Sequence, residues 1–203
     1  MVKKKWLNEF LSDKYVKDAN REGFRSRAAF KLLEIDDEFG LFKNCLSVLD
    51  LGCAPGSWLQ VAKRKTKSKR TIITGVDILR YKLIQGVTQI EGDFQDQSAR
   101  KKILTAFNGS KVDLILSDMA PNLSGIKVVD SENISKLVNL VLDFSLENLH
   151  KNGCVVVKTF ETGTGSREFR KKLAKYFEKV WLRKPLASKK VSSEQFFIAK
   201  TLK

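Results

Sequence analysis

The sequence is poor in the residues that build metal sites and disulfide frameworks. It has three cysteines, Cys45, Cys53 and Cys154, with no C-x-x-C spacing, and one histidine, His150. An odd number of isolated cysteines excludes a disulfide framework and a zinc site of ordinary spacing, and indicates a reducing compartment. We therefore expect no metal and buried or neutral thiols, and we interpret His150 as a surface residue.

Long apolar runs are also missing. No segment approaches the roughly 20 apolar residues that a membrane-spanning helix needs. The N-terminal stretch is basic but lacks the apolar core of a signal peptide. There is no internal repeat and no low-complexity segment. These absences predict a cytoplasmic protein without membrane attachment, and we expect a monomer.

Acidic residues are in the minority. The 203 residues include 38 Lys and Arg but only 23 Asp and Glu, which gives a net charge of +15. This length suits one domain with a proper core. A positive excess of this size favours a polyanionic partner, most simply nucleic acid, although a solvated basic surface is the alternative.

Beyond a polar and basic N-terminal extension, residues 1–24, the pattern predicts one domain over residues 25–203. Apolar strand segments alternate there with helical segments. The predicted strands are 47–51, 71–77, 87–91, 112–117, 154–159, 180–183 and 196–201. The predicted helices are 27–39, 56–65, 97–107, 131–150 and 166–176. Near-continuous apolar strands are typical of a doubly wound α/β sheet covered by helices on both faces.

A glycine turn follows the first predicted strand, in residues 50–58. Gly52 and Gly56 let a ligand approach the backbone, and the helix that begins here offers unpaired N–H groups. In such sheets, ligands bind beyond the carboxyl ends of the strands. Asp77 ends the second strand and Asp93 follows the third, so we expect Asp77 to bind ribose hydroxyls and Asp93 an adenine amine.

The turn favours S-adenosylmethionine over NAD. It does not have the G-x-G-x-x-G spacing, and Pro55 removes a backbone N–H where a pyrophosphate needs donors. We therefore prefer a nucleoside ligand without phosphates. Trp58 follows the turn, and the sequence is equally consistent with two roles for it, lining the cofactor pocket or packing in the core.

Two charged residues end later strands. Asp118 comes at the end of the fourth strand and Lys158 at the end of the fifth. A lysine at the tip of a buried strand needs a partner, because burial penalises the ammonium group. Asp118 on the neighbouring strand end is the natural candidate, while a plain surface lysine is the alternative.

These residues are similar to a known family, the FtsJ/RrmJ S-adenosylmethionine-dependent RNA ribose 2′-O-methyltransferases, and most like its bacterial ribosomal type. The likeness covers almost the whole chain. Its motifs are residues 12–16, 25–32, 50–58, 92–94, 117–122, 156–160 and 193–194. The resemblance implies a Rossmann-like methyltransferase fold with a mostly parallel seven-stranded sheet and an antiparallel last strand. It implies S-adenosylmethionine bound by Gly52, Pro55, Gly56, Trp58, Asp77, Asp93 and Asp118, and a substrate uridine in large-subunit 23S ribosomal RNA.

The family's Lys-Asp-Lys-Glu tetrad falls on Lys31, Asp118, Lys158 and Glu194. On this resemblance, Lys158 is the expected general base, which must be a neutral amine to take the proton of the ribose hydroxyl. Burial and the nearby charge of Lys31 favour that neutral form. Asp118 is expected to position Lys158, and Glu194 to orient Lys31.

Two other functions stay open. The same chemistry can act on tRNA or on a capped message, and a noncatalytic RNA-binding assembly factor can retain the fold. Base N-methylation is disfavoured, because residues 118–122 read Asp-Met-Ala-Pro-Asn where those enzymes have Asp or Asn, two prolines and an aromatic.

Basic residues near the predicted site are candidates for phosphate contacts. The dense basic run at residues 63–70 is not, because it lies at the opposite edge of the sheet. The candidates are Lys3, Lys4, Lys5, Lys14, Lys17, Arg21, Arg25, Arg27, Arg183, Lys184, Lys189 and Lys190.

Overall fold

Strands and helices alternate along the chain in a computed structural model that describes residues 13–122, 124–161 and 164–203. The strands are β1 Ser47–Leu51, β2 Ile72–Asp77, β3 Thr88–Glu91, β4 Val112–Ser117, β5 Leu149–Phe160, β6 Phe177–Arg183 and β7 Glu194–Leu202. The helices are α1 Lys14–Arg21, α2 Ala28–Phe39, α3 Ser57–Lys65, α4 Gln97–Ala106, α5 Lys127–Asn148 and α6 Thr164–Tyr176.

The strands form one seven-stranded sheet in the order β3-β2-β1-β4-β5-β7-β6. Strands β1 to β5 pair in parallel, whereas β7 runs antiparallel between β5 and β6. In the β5–β7 register, Glu194 lies opposite Phe160. The start of β7 therefore shares an edge with the carboxyl ends of the parallel strands, which confirms the predicted architecture.

Helices cover both faces of the sheet. On one face, Leu32 of α2 and Leu59 of α3 pack against Val48 of β1. On the other face, Ile103 of α4 and Val141 of α5 belong to the second apolar cluster. All five residues of β1 are buried, as its continuous apolar pattern predicts for a central strand.

Two regions differ from the sequence prediction. The helix predicted at 131–150 is α5, which begins four residues earlier and ends at Asn148. His150 consequently lies exposed in β5, because Leu149 leaves helical geometry to pair with Val112 of β4. Sheet pairing has overridden the apolar periodicity that extends the predicted helix.

Part of the predicted N-terminal extension is helical. Asp13 caps α1 by accepting a hydrogen bond from the Tyr15 N–H at 2.9 Å, and Val16 and Ala19 are buried. Residues 1–12 lie outside the described part of the chain, so the division at residue 24 stays a prediction. No helix among the described residues is long and apolar enough to cross a membrane.

The three cysteine thiols are free and buried, as predicted. Burial raises the pKa of both Cys45 and Cys154 to about 12. Burial also raises the pKa of Cys53, whose thiol donates a hydrogen bond to the Tyr81 hydroxyl at 2.9 Å. The thiols are therefore neutral packing groups at physiological pH.

Candidate active site

An open cleft of about 740 Å³ lies at the carboxyl ends of the parallel strands, walled on one side by α5. Gly52, Asp77, Asp93 and Asp118 line it together. The apolar part of its lining includes Phe94, Met119, Leu137 and Leu140. The cleft therefore lies where ligands bind to open α/β sheets, and it joins carboxylates to an apolar wall.

The glycine turn needs its glycines for two reasons. Gly52 and Gly56 have φ angles of 72° and 103°, in the left-handed region that side chains disfavour. A Cβ on Gly52 would lie 2.3 Å from the Met119 Cγ, so the segment after β4 packs directly on the turn. The Arg25 side chain stabilises the turn by donating a hydrogen bond to the Pro55 carbonyl at 2.7 Å.

The turn leads into α3, whose N-cap is Gly56. No side chain of the described residues caps this helix, so its first N–H groups stay available to an anionic ligand group such as a carboxylate.

Asp77 links the end of β2 to the turn. Its two carboxylate oxygens accept hydrogen bonds from the N–H groups of Ala54 and Leu79, each at 2.8 Å. Asp93 accepts one from the Gln95 N–H at 2.8 Å. Since a carboxylate oxygen has a second lone pair, both side chains keep acceptor capacity for hydroxyl or amine groups in the cleft.

Two ion pairs lie at the β5–β7 side of the same edge. Lys158 Nζ is 2.9 Å from Asp118 Oδ1 and also donates to the Asp118 backbone carbonyl. Lys31 Nζ reaches from α2 to within 2.7 Å of Glu194 Oε1. All four side chains are at least four-fifths buried. The structure thus brings together the four residues of the expected tetrad.

The pairs also interact with each other. Burial alone would raise the pKa of Glu194, but Lys31, and more weakly Lys158, lower it below its ordinary value. Glu194 is therefore anionic at neutral pH, and the site balances two carboxylates against two lysines.

Asp50 is a further acidic residue of the site that the sequence analysis did not single out. Its side chain is 1% exposed in β1, and neither carboxylate oxygen has a hydrogen-bond partner in the described residues. Burial, and then the charges of Asp118 and Asp77, raise its pKa well above the ordinary range. An acid inside the apolar run 48–51 is the sequence signal that points to it.

A small cavity of about 20 Å³, room for a single water molecule, adjoins the main cleft at Gly52 and Asp118. Asp50, Pro55 and Trp58 line this cavity. Neither Pro55 nor Trp58 lines the larger cleft in the described residues. The Trp58 indole is 3% exposed and donates to the Ala28 carbonyl at 2.8 Å, so it anchors α2 to the turn.

Four of the predicted phosphate-contact residues are held by contacts within the chain, the first being Arg21, which pairs with Asp18 of α1. Arg25 also donates to the Leu83 carbonyl, Arg27 pairs with Asp13, and Arg183 pairs with Glu38. Exposed lysines of the same set remain on α1 and on the β6–β7 connection: Lys14, Lys17, Lys184, Lys189 and Lys190. The candidates Lys3, Lys4 and Lys5 lie outside the described residues.

The cleft offers chemical groups that suit S-adenosylmethionine. The glycine turn admits close approach, while Asp77 and Asp93 offer acceptors for ribose hydroxyls and an adenine amine. The charges of Asp118 and Asp77, which raise the pKa of Asp50, also favour a cationic ligand at this edge. In the described residues, no group of three or more His, Cys, Asp or Glu side chains is placed to hold a metal ion.

Asp77→Ala should weaken S-adenosylmethionine binding by about 10- to 100-fold, the cost of losing hydrogen bonds to a charged acceptor. Isothermal titration calorimetry with S-adenosylmethionine measures the change. Asp37→Ala is the matched control, because Asp37 forms an exposed ion pair with Lys65 at the far end of α3. Equal affinity in the Asp77→Ala variant would remove Asp77 from the cofactor site.

Comparison with known proteins places the chain in a family. The sequence profile of the FtsJ-like methyltransferases matches residues 24–202. A curated relative from Francisella tularensis subsp. tularensis, named ribosomal RNA large subunit methyltransferase E, is 46% identical over 201 residues. That match covers 98% of this chain and 96% of the relative. A protein of the same name from Acinetobacter baumannii is 44% identical over 193 residues, covering 95% and 88%.

The chain is also similar in structure to solved proteins. A crystal structure described as a ribosomal RNA methyltransferase from Plasmodium falciparum superposes with a TM-score of 0.80 and 29% identity, covering 88% of this chain and 98% of that one. A protein described as a hemolysin from Lactococcus lactis, at 18% identity and a TM-score of 0.62, covers 86% of each chain and shares the fold alone. With its profile match, its sheet order and its cleft, the chain belongs to the FtsJ-like methyltransferase family.

Proposed function

We propose that this protein transfers a methyl group from S-adenosylmethionine to the 2′-hydroxyl of a uridine ribose in large-subunit 23S ribosomal RNA. The observation that carries the chemistry is the buried Lys158 amine, held by Asp118, a residue that also lines the cofactor cleft. A proton acceptor thus lies directly beside the methyl donor's site. The names of the curated relatives support the RNA substrate.

S-adenosylmethionine, when bound, would supply a methyl carbon on a cationic sulfonium. The sulfur would leave as a neutral thioether, which needs no acid. What remains for the protein is to align the ribose oxygen and to take its proton. Lys158 accepts that proton in its neutral amine form, and Asp118 then stabilises the ammonium that results. The Asp118 carbonyl and carboxylate both hold Nζ, which fixes its direction.

Lys31 and Glu194 complete the site as a second pair. The Lys31 ammonium, 2.7 Å from Glu194, supplies a donor that can hold the attacking oxygen as it loses its proton. Glu194 keeps Lys31 in place and limits the net positive charge of the site. Lys158 pairs with Asp118, which lines the cofactor cleft, whereas Lys31 pairs with Glu194. This difference supports proton transfer at Lys158 rather than at Lys31.

RNA is the kind of partner that the surface charge favours, and the names of the relatives point to ribosomal RNA. The exposed lysines 14, 17, 184, 189 and 190 flank the Lys31–Glu194 side of the cleft, where α1 and the β6–β7 connection meet across Arg27. Lysines in this position contact phosphates without reading sequence.

The combined variant Lys189→Gln and Lys190→Gln should raise the KM for RNA and leave cofactor affinity unchanged. Each lost phosphate contact should also lower the salt-dependence slope of RNA binding by about one. Filter binding over a salt series checks this. The matched control is Lys67→Gln with Lys69→Gln, two exposed lysines of the run beyond α3. If the control weakens RNA binding and the first pair does not, RNA contacts the opposite edge of the sheet.

The substrate is tested by offering four RNAs to the protein with labelled S-adenosylmethionine. These are intact large subunits and naked 23S ribosomal RNA, both from cells lacking this activity, together with tRNA and a capped message. We expect label in the ribosomal substrates, recovered as 2′-O-methyluridine after digestion to nucleosides. Label in tRNA or the capped message alone would move the enzyme to the other RNA class. Binding to the subunits without any label would identify a noncatalytic assembly factor.

A further inference from the structure

One face of α2 contacts both ends of the β6–β7 connection, residues 184–193. Arg27 immediately precedes α2, whereas Lys31 and Glu34 lie within it. Lys31 comes four residues after Arg27 and Glu34 three residues after Lys31, which places all three side chains on one side of the helix. Lys31 pairs with Glu194, the first residue of β7, which directly follows the connection. Arg27 and Glu34 contact the other end.

The contact made by Glu34 is directed at the backbone. Its Oε2 accepts a hydrogen bond from the Leu186 N–H at 2.6 Å, and its Oε1 accepts one from the Ala187 N–H at 2.9 Å. Arg27 donates in turn to the Ala187 carbonyl. Both polar backbone groups of Ala187 are thus bound by side chains of α2, and Ala187 is fully buried.

The held segment packs on the catalytic ion pair. Ser188 follows Ala187, is 5% exposed, and has its hydroxyl close enough to the Glu194 carboxylate to favour the charged form, although its geometry falls short of a hydrogen bond. The outer side of the connection carries Leu186 and Val191, which are 81% and 95% exposed. Burial of Pro185, Ala187 and Ser188 fixes only part of the segment, so the contacts from Arg27 and Glu34 add to burial in holding its backbone.

Resting on the proposed function, we propose that Glu34 and Arg27 are positioning residues. By fixing the backbone at Leu186 and Ala187, they hold the β6–β7 connection over the Lys31–Glu194 pair, so that Glu194 keeps Lys31 aimed at the attacking ribose oxygen. Neither residue touches the reacting atoms. Their effect on catalysis passes through Glu194.

Glu34→Gln is the informative variant, because it replaces one of the two accepting oxygens with an NH2 group, a donor that cannot bind the second N–H group. We expect kcat on large-subunit RNA to fall about 10- to 100-fold, the range that a small misplacement of a catalytic group costs. The KM for S-adenosylmethionine should not change. Glu38→Gln is the matched control: Glu38 lies one turn further along α2 and forms a half-exposed ion pair with Arg183.

A double-mutant cycle separates positioning from a general loss of structure. If Glu34 acts through Glu194, Glu34→Gln causes no further loss of kcat when Glu194 is already Gln. Two independent, multiplying losses would overturn the proposal. A wild-type kcat in the Glu34→Gln variant would also overturn the proposal. The proposed function is tested separately, by whether the wild-type enzyme methylates the RNA.

Hydrogen exchange supplies a second measurement that does not depend on activity. Glu34→Gln should speed amide exchange in the peptide covering residues 184–196, while Glu38→Gln should not. An unchanged rate of amide exchange in residues 184–196 of the Glu34→Gln variant would overturn the proposal. This measurement applies even if the protein methylates none of the RNAs tested.

Discussion

We expect Lys158→Ala to lower kcat for methyl transfer on the order of 10²- to 10⁴-fold, which is the usual contribution of a general base. The reason is geometric as well as chemical. Lys158 is at the end of β5, and its Nζ is held by the Asp118 carboxylate and carbonyl at the edge of the cofactor cleft. Single-turnover methylation of large-subunit RNA measures the rate without interference from product release.

Cofactor binding should survive this substitution, because Lys158 does not line the cleft that we assign to S-adenosylmethionine. Calorimetric titration of the variant therefore separates lost chemistry from lost binding. Lys200→Ala is a matched control, since Lys200 is a partly buried lysine on the neighbouring strand β7 that donates to the Phe39 carbonyl. Wild-type turnover in Lys158→Ala would show that another group accepts the proton.

Lys158→Arg sharpens the assignment further. A guanidinium stays protonated at all working pH values and cannot accept a proton, although it keeps the positive charge. We expect it to be as inactive as the alanine variant. Substantial activity in Lys158→Arg would assign Lys158 an electrostatic role instead.

The sequence predicted the sheet and the positions of the tetrad because both depend on chain order. Once β1 to β5 are parallel, Asp118 and Lys158 must emerge at the same edge. The resemblance to the FtsJ/RrmJ family then placed Glu194 there, through the antiparallel β7. The β5–β7 register and the Lys31–Glu194 contact agree with that placement.

Contacts between distant parts of the chain were beyond sequence reasoning. Arg25 and Arg27 were predicted to contact RNA phosphates, but the structure engages both with backbone carbonyls, Arg27 with one 160 residues away. The capture of Leu186 and Ala187 by Glu34 has no local signature either. A charged residue in a polar segment shows only that it avoids the core, and its partner depends on packing of the whole fold.

Asp50→Asn should make the protein more stable at neutral pH. Asp50 is buried, its carboxyl finds no hydrogen-bond partner in the part of the chain that the structure describes, and burial together with Asp118 and Asp77 raises its pKa. A raised pKa means that the folded state binds the proton more tightly than the unfolded chain. Wild-type stability therefore falls as pH rises from the unfolded pKa, about 3.9, towards the folded pKa.

The difference in unfolding free energy between wild type and Asp50→Asn isolates this effect. It should grow by up to about 1.4 kcal/mol per pH unit within that window and stay constant above it. Urea unfolding at a series of pH values measures it. Asp37→Asn, at an exposed ion pair, should show no such slope. A flat difference for Asp50→Asn would mean that Asp50 has an ordinary pKa and an unseen partner.

The same variant tests why an acid occupies this costly position. Asp118 and Asp77 create enough negative potential at the cleft to raise the pKa of Asp50, beyond the effect of burial. A cation bound there favours the carboxylate form of Asp50 in turn. That potential favours S-adenosylmethionine, which carries a sulfonium charge, over the uncharged sulfur of S-adenosylhomocysteine. Asp50→Asn should therefore reduce the ratio of the two affinities, chiefly by weakening the cationic donor, and calorimetry with both ligands measures this. An unchanged ratio in a more stable protein would show that Asp50 does not discriminate donor from product.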